Sequence, residues 1–275
     1  MLGALFGDIV GSKYEFQGEV DSDFVFFLPG CHFTDDSLMT LAVALSLVIT
    51  KNDRSEYQKI LIKYMRKIAH DYPNVSWGQK FHKWLFEYEV PVPLNSYGNG
   101  SAMRISPVGW VCDSLEETIE LSKLTTEITH NHPEGIKGAE AVAVAIFMAR
   151  TGSSKEQIKD KMIEYYPSLK NMTLNELKAR GYGLDELGMW VTCQGSVPQA
   201  ICAFLESENF RDAIRKAVCL SADTDTQACI TGSIAEAFYG CTYDDEDKVL
   251  EYLPDDLKST YFAFDAIKKK RIKRQ

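Results

Sequence analysis

The sequence lacks the features that define several classes of protein. It has no uninterrupted apolar run of about 18 residues, so we expect no membrane-spanning helix. Its 7 cysteines form no Cys-x-x-Cys pair, and their odd number argues against a disulfide framework or a zinc knuckle. With 45% hydrophobic and 25% charged residues, the composition is that of an ordinary globular protein.

Basic residues are also scarce. The chain has 30 Lys and Arg against 39 Asp and Glu, a formal net charge of −9, which disfavours non-specific binding to nucleic acid or an anionic membrane. The exception is a basic tail over residues 268–275. We expect this tail to be the solvated, frayed end of a terminal helix, with a weak contact to a polyanion as the alternative. Its cations are Lys268, Lys269, Lys270, Arg271, Lys273 and Arg274.

The first residues show no secretion signal. They are apolar, but they carry no basic leader and reach Asp8 too early for a signal-peptide core. We therefore expect a cytoplasmic protein with reduced cysteines. No convincing linker interrupts the chain, so we expect one domain over residues 1–275, with its motifs within 1–240, and a monomer.

Strand patterns are almost absent, whereas helical patterns are frequent. The alternation over 20–28 is too broken by acidic residues to indicate more than a loop or a short extended piece. Apolar residues that recur every three or four positions predict a compact, all-α, orthogonal helical bundle. The predicted helices cover about 36–50, 55–70, 77–88, 114–128, 135–150, 154–165, 196–206, 210–220, 226–239 and 257–270.

Long connections separate these helices, and functional residues often lie on such loops. The segment 166–190 is the most unusual, because glycines surround a polar, helix-like run over 174–180. It is either an insertion that covers a pocket or a plain surface connection. The predicted connections are 11–35, 89–107, 129–134, 166–195 and 221–225.

Two carboxylate clusters stand directly before predicted helices. Asp35 and Asp36 precede one helix, and Asp223 and Asp225 precede another. One short acidic or hydroxyl side chain is enough to cap a helix, so capping leaves carboxylates unexplained. With the hydroxyls of neighbouring threonines they form an all-oxygen set that suits Mg²⁺, Mn²⁺ or Ca²⁺. If the clusters meet, the sequence predicts a binuclear metal site between helix N-termini, which could activate water for hydrolysis.

These clusters belong to a larger pattern of motifs. Together with Gly7-Asp8-Ile9-Val10-Gly11-Ser12-Lys13-Tyr14-Glu15 and Gly98-Asn99-Gly100-Ser101-Ala102-Met103-Arg104, they closely resemble the ADP-ribosylglycohydrolase family in content and order. The resemblance spans residues 1 to about 240. It implies an all-α domain with two Mg²⁺ or Mn²⁺ ions. The implied metal ligands are Thr34, Asp35, Asp36, Asp223, Asp225 and Thr226.

The resemblance also implies roles around those ions. It nominates Glu15 to activate water or assist the leaving group, with Asp36 and Asp225 as further catalytic residues. It makes the Asn-Gly turn a pyrophosphate cradle, whose alternative is a turn without a ligand. His130 is the substrate-side histidine, although His132 could take that place or cap the next helix. The implied substrate contacts are Asn99, Gly100, Ser101, Met103 and His130.

The function implied is that of a metal-dependent hydrolase. It would cleave the glycosidic bond of an ADP-ribosyl group on a modified protein, a nucleic acid or a small molecule, with the acceptor open among arginine, serine, a nucleobase and a free small molecule. The chain departs from its relatives at Ser221 and Ala222, where two glycines are common, and this affects the expected width of the substrate site near the metals.

Two other functions fit parts of the pattern. A binuclear phosphoesterase would usually need His-Asp ligand pairs, but the dipeptide His70-Asp71 stands alone and neither cluster contains one. A non-catalytic relative that binds ADP-ribose or serves a structural role is the second alternative. Retention of all six implied ligands argues against it.

Overall fold

The computed structural model describes residues 1–51, 53–180 and 188–272. These residues form α-helices and two 3₁₀ turns, at Pro167–Lys170 and Met189–Val191, and no strand, which confirms the all-α prediction. The helices are α1 (Leu2–Gly11), α2 (Asp35–Thr50), α3 (Tyr57–Asp71), α4 (Gln79–Phe86), α5 (Gly100–Met103), α6 (Ser106–Val111), α7 (Leu115–Thr126), α8 (Pro133–Arg150), α9 (Lys155–Tyr165), α10 (Leu174–Arg180), α11 (Cys193–Leu205), α12 (Phe210–Val218), α13 (Thr224–Tyr239), α14 (Tyr243–Tyr252) and α15 (Asp255–Ile272).

Helices α1 and α13 lie antiparallel and in close contact at the centre of the fold. A Cβ atom on Gly7 would lie 2.0 Å from the carbonyl oxygen of Ala228, and one on Gly3 would lie 2.0 Å from that of Gly232. Only glycine permits so close an approach of two backbones. The contact places the C-terminal end of α1 beside the N-terminal end of α13, where the Thr224 hydroxyl donates to the Gly11 carbonyl at 2.8 Å.

The ten predicted helices are present, but the sequence pattern missed others. Every residue of α1 is buried, so this helix has no polar face and no amphipathic period. The predicted connection 89–107 was wrong in part, because α5 and the start of α6 fall within it. The helix-like run in the connection 166–195 is indeed α10. Residues 181–187 of that connection lie outside the described residues.

The basic tail is not simply solvated. Lys268 is largely buried and forms an ion pair with Glu236, while its ammonium lies 4.3 Å from the centre of the Trp110 ring. Lys269 pairs with Asp265 at 2.5 Å. The prediction of a frayed end is therefore wrong for the first residues of the tail, because α15 continues through them and their charges have partners. Lys273 and Arg274 lie outside the described residues.

Most of the cysteines are buried in the helical bundle. All seven cysteines are free, and all but Cys241 are buried, where a thiol packs as a small apolar group. Within residues 1–51, 53–180 and 188–272, no helix has the length and apolar character needed to cross a bilayer. The segment 20–28 forms turns, and its Phe26 and Phe27 rings pack on Phe6.

Candidate active site

The two carboxylate clusters meet at the C-terminal end of α1. The hydroxyl of Thr226, in the first turn of α13, donates to Oδ2 of Asp36, in the first turn of α2, at 3.1 Å. Asp36 and Asp225 are almost completely buried, at 2% and 4% exposure. Helix N-termini attract negative charge because their first N–H groups and the helix dipole point toward it.

Asp8 joins this cluster from the end of α1, although the sequence did not single it out. Its carboxylate accepts hydrogen bonds from the Thr34 amide at 2.9 Å, the Thr34 hydroxyl at 2.6 Å and the Ser37 amide at 3.0 Å. Asp8 thereby caps α2 and fixes its first turn against α1. Its place in the Gly-Asp element was the one available signal of a site role.

The carboxylates form two overlapping groups. Asp8, Asp36 and Asp225 each offer an oxygen within 4.8 Å of the other two, and Glu15, Asp223 and Asp225 do the same. Asp225 therefore belongs to both groups. One oxygen of Asp36, Oδ1, is buried and has no hydrogen-bond partner among the described residues. Hard oxygen ligands, including an unpartnered buried carboxylate oxygen, form a donor set that suits hard divalent cations such as Mg²⁺, Mn²⁺ or Ca²⁺.

This arrangement differs in membership from the set implied by the sequence. Asp35 lines the cavity but lies outside both close groups, whereas Asp8 and Glu15 lie inside them. The Thr34 and Thr226 hydroxyls are hydrogen-bonded to Asp8 and Asp36. The structure thus brings all six implied ligands together and adds two carboxylates to them.

Burial and mutual repulsion raise the pKa values of the carboxylates in this site. Burial, followed by the repulsion of neighbouring carboxylates, raises the pKa of Asp35 and Asp36 well above the usual range, and Asp225 behaves in the same way. Burial raises the pKa of Asp223 to about 6 and that of Glu15 to about 7, with Asp225 and Asp8 adding to the effect on Glu15. Such groups require either protons or bound cations.

A cavity of about 310 Å³ opens above the carboxylates. Asp35, Asp36, Asp223 and Asp225 line its floor, and Glu15 stands in its wall. A further part of the lining comes from the start of α4 and the residues just before it, which the sequence gave no reason to include. This part consists of Ser76, Gly78, Gln79, Lys80 and Phe81.

The Asn-Gly segment, which was predicted as a turn, begins a short helix. It is the first turn of α5, and the Asn99 side-chain amide donates to Asp223 at 2.6 Å and to Ser196 at 3.0 Å. Gly100 and Met103 line the cavity as expected. The Ser101 hydroxyl donates to the Gly135 carbonyl at 2.8 Å inside the core, which leaves only the backbone N–H of Ser101 for the predicted cradle.

The two candidate histidines have separate roles in the structure. His130 is buried in the cavity wall, beside Gly98 and Gly100. His132 is the N-cap of α8, where Nδ1 accepts from the Glu134 amide at 3.1 Å. The structure therefore places His130, and not His132, next to the carboxylates' cavity. His70, by contrast, is exposed and packs on Phe86 outside the lining of this cavity.

A backbone hydrogen bond between two strained segments connects the residue after Glu15 to the residue before Asp223. Ser221 and Ala222 have φ values of 64° and 72°, and Phe16 has φ 56°. The Phe16 amide donates to the Ala222 carbonyl at 2.8 Å. A left-handed conformation costs a non-glycine residue about 1–2 kcal/mol, so glycine at positions 221 and 222 would relieve this cost. The Phe16 ring packs edge-on against Trp190 at 4.8 Å.

Removal of metal should make the protein sensitive to rising pH. Because the folded-state pKa of Asp223 is about 6 and that of Glu15 about 7, the unfolded chain loses these protons first, near pH 4. Stability in EDTA should then fall as pH rises from about 4 to 7. Mg²⁺ at a hundredfold excess over its Kd should add about 2.7 kcal/mol. Melting curves at several pH values check this.

The metal-induced rise in melting temperature should be larger at the upper end of that pH window than at the lower end, since protons compete with the cation for the same oxygens. Calcium-free and magnesium-free buffers with EDTA provide the reference. Identical melting curves in EDTA and Mg²⁺ at every pH would contradict a preformed metal site.

Comparisons with known protein sequences point to one family. The family model for ADP-ribosylglycohydrolase matches residues 1–263. The ADP-ribosylhydrolase ARH3 of Homo sapiens is 27% identical over 312 residues, which cover 87% of this chain and 84% of that protein. The ADP-ribosylarginine hydrolase Tri1 of Pseudomonas putida (strain GB-1) is 27% identical over 271 residues, covering 87% of this chain and 69% of that protein.

A solved structure shows the same fold. The chain of an ADP-ribosylglycohydrolase-related protein complex superimposes with a TM-score of 0.69 at 20% sequence identity, and 97% of each chain is covered. The family model and this likeness of fold each extend over nearly the whole chain. The chain therefore belongs to the ADP-ribosylglycohydrolase family, whose members hydrolyse ADP-ribosyl linkages.

Proposed function

We propose that this protein is a metal-dependent hydrolase that removes a mono-ADP-ribosyl group by cleaving its glycosidic bond. One observation supports the proposal above others: two groups of carboxylates share Asp225 at the floor of a cavity that Glu15 lines. Membership in the family supplies the substrate class. The closeness of the two groups suits two divalent cations, Mg²⁺ or Mn²⁺.

The cation-binding residues follow from the two groups. Asp8, Asp36 and Asp225 would hold one ion, and Asp223 with Asp225 would hold the other, with Glu15 beside them. When bound, the ions would supply positive charge that orients the ribose hydroxyls and offsets the carboxylates. The hydrogen bonds from Thr34 to Asp8 and from Asn99 to Asp223 hold these carboxylates in place.

Glycosidic cleavage passes through a transition state with positive charge on the ribose ring. The buried carboxylates of the floor stabilise that charge, because they lie in an environment of low dielectric constant. Glu15 takes a proton from the attacking water or gives one to the departing group. The Glu15 carboxylate is half-buried in the lining of the cavity, close to Asp225, so it can reach both the sugar and the solvent.

The far side of the cavity suits the rest of the ligand. Gly98 and Gly100 leave space beside His130, and the first turn of α5 lies there, so a pyrophosphate can approach backbone N–H groups without side-chain bulk. The leaving group would face the wall formed by Gln79, Lys80 and Phe81 at the start of α4.

A panel of mono-ADP-ribosylated substrates tests this function. Peptides modified on arginine or on serine and an ADP-ribosylated nucleic acid are incubated with the protein in Mg²⁺, in Mn²⁺ and in EDTA, and the released product is identified by mass spectrometry. We expect free ADP-ribose from at least one substrate, lost in EDTA and restored by metal. Release of AMP would instead indicate a phosphoesterase. Binding of ADP-ribose without any release would indicate a non-catalytic relative.

A further inference from the structure

A buried arginine without an acidic partner among the described residues contributes to the lining of the cavity. Arg104 is 1% exposed and takes part in no ion pair among the described residues. It donates to the Thr129 hydroxyl at 2.7 Å and to the Thr125 carbonyl at 3.5 Å. Burial lowers its pKa to about 10, so the guanidinium stays protonated at neutral pH. An unpaired buried cation is costly to stability, which calls for a functional reason.

The Thr129 hydroxyl connects this arginine to His130. Its oxygen lies 2.7 Å from Nδ1 of the imidazole. A guanidinium can only donate hydrogen bonds, so the Thr129 oxygen accepts from Arg104 and keeps its single proton for another acceptor. Among the described residues, Nδ1 of His130 is the one acceptor within reach. Nδ1 therefore accepts, and the ring proton lies on Nε2.

The Nε2 atom faces the space kept open by two glycines. A Cβ atom at Gly100 would lie 3.4 Å from Nε2, and one at Gly98 would lie 3.6 Å from it. Both glycines line the cavity, and Nε2 has no hydrogen-bond partner in the described part of the chain. Burial, with Arg104 adding to it, also holds the pKa of His130 well below its usual value. The imidazole is thus neutral and presents one N–H group to the cavity.

We propose that Arg104 and Thr129 are positioning residues that fix the proton of His130 on Nε2, so that the imidazole donates a hydrogen bond to an anionic oxygen of the bound ligand. The assignment of the proton is independent of the ligand. The identity of that ligand, the pyrophosphate of an ADP-ribosyl group, rests on the proposed function.

The proton position can be measured directly. In the full-length protein labelled with ¹⁵N-histidine, two-dimensional spectra at neutral pH with Mg²⁺ should show His130 with a protonated Nε2 and an unprotonated Nδ1. Thr129→Ser keeps the hydroxyl and should keep this pattern. Thr129→Val keeps the shape but removes the hydroxyl, so the signature of a fixed tautomer should be lost. ADP-ribose affinity by calorimetry should fall about five- to tenfold, the equivalent of roughly one net hydrogen bond.

Thr125→Val is the matched control. Thr125 is also buried and close to Arg104, but it contacts that guanidinium through its backbone carbonyl, and its hydroxyl bonds to Tyr57 and Leu121. This variant should lose stability to a similar extent while the His130 spectrum and ADP-ribose affinity stay unchanged. Melting temperatures of all variants confirm that each one is folded.

The outcomes separate this proposal from the proposed function. A proton on Nδ1 in the wild-type spectrum overturns the tautomer assignment, whether or not ADP-ribose binds, and this measurement does not depend on any variant folding. Equal affinity of Thr129→Val and wild type for ADP-ribose overturns the positioning role. A fixed Nε2 proton in a protein that fails to bind ADP-ribose leaves the assignment intact and rejects the proposed ligand instead.

Discussion

Replacement of Asp225 by asparagine should abolish turnover and raise the melting temperature of the metal-free protein. Among the residues that the structure describes, Asp225 alone belongs to both close groups, so its charge would serve both cation positions. Loss of a residue that merely supports a metal ligand lowers metal affinity about 10–100-fold, and loss of a ligand should exceed that range. Calorimetric titration with Mg²⁺ and Mn²⁺, next to a product assay, measures both effects.

The higher melting temperature expected of the metal-free variant distinguishes it from a variant that loses activity because its fold is destabilised. Repulsion and burial raise the pKa of Asp225, so its removal relieves the metal-free fold, and melting in EDTA should occur at a higher temperature. Asp265→Asn is the matched control, because Asp265 is also buried but pairs with Lys269 in α15. That control should keep its activity and gain no stability. Wild-type turnover in Asp225→Asn at ordinary metal concentration would reject the shared role of this residue.

The residue types of the site were predictable because its chemistry requires them. Carboxylates in excess of what capping uses indicated cations before any contact was known, and the structure does bring Asp36 and Asp225 to the same place. Asp8 was missed for a physical reason. It lies on α1, a helix buried on all sides, where hydrophobic periodicity gives no signal and a lone acidic residue resembles an interruption of the apolar run.

The sequence motifs did not predict the direction in which each side chain points. Ser101 and Met103 belong to one motif, yet the Ser101 hydroxyl bonds to Gly135 in the core while Met103 lines the cavity. The sequence contained no period that would separate them, because α5 is only one turn long. The residues of α4 that line the cavity were also missed. By themselves they indicate no binding site, and they acquire a role only through their position relative to the carboxylates.

Replacement of Glu15 by glutamine should separate proton transfer from binding. Glutamine preserves size and hydrogen bonding but cannot exchange a proton, so turnover should fall about 100- to 10,000-fold, the usual contribution of general acid–base catalysis. ADP-ribose affinity should barely change, because Glu15 belongs to the carboxylate group of Asp223 and Asp225 and not to the contacts of the glycines with His130. Calorimetry with ADP-ribose and a single-turnover product assay give the two quantities.

Glu15 also lies in the carboxylate group with Asp223 and Asp225, so metal affinity must be measured in the same variant. Unchanged Mg²⁺ affinity with lost turnover assigns the loss to proton transfer, whereas a parallel fall in metal affinity would make Glu15 a ligand and reject the acid–base role. Glu19→Gln provides the matched control, since Glu19 is an exposed glutamate in the same segment and outside the lining of the cavity. It should leave turnover and both affinities at wild-type values, because no cation and no reacting atom is within its reach.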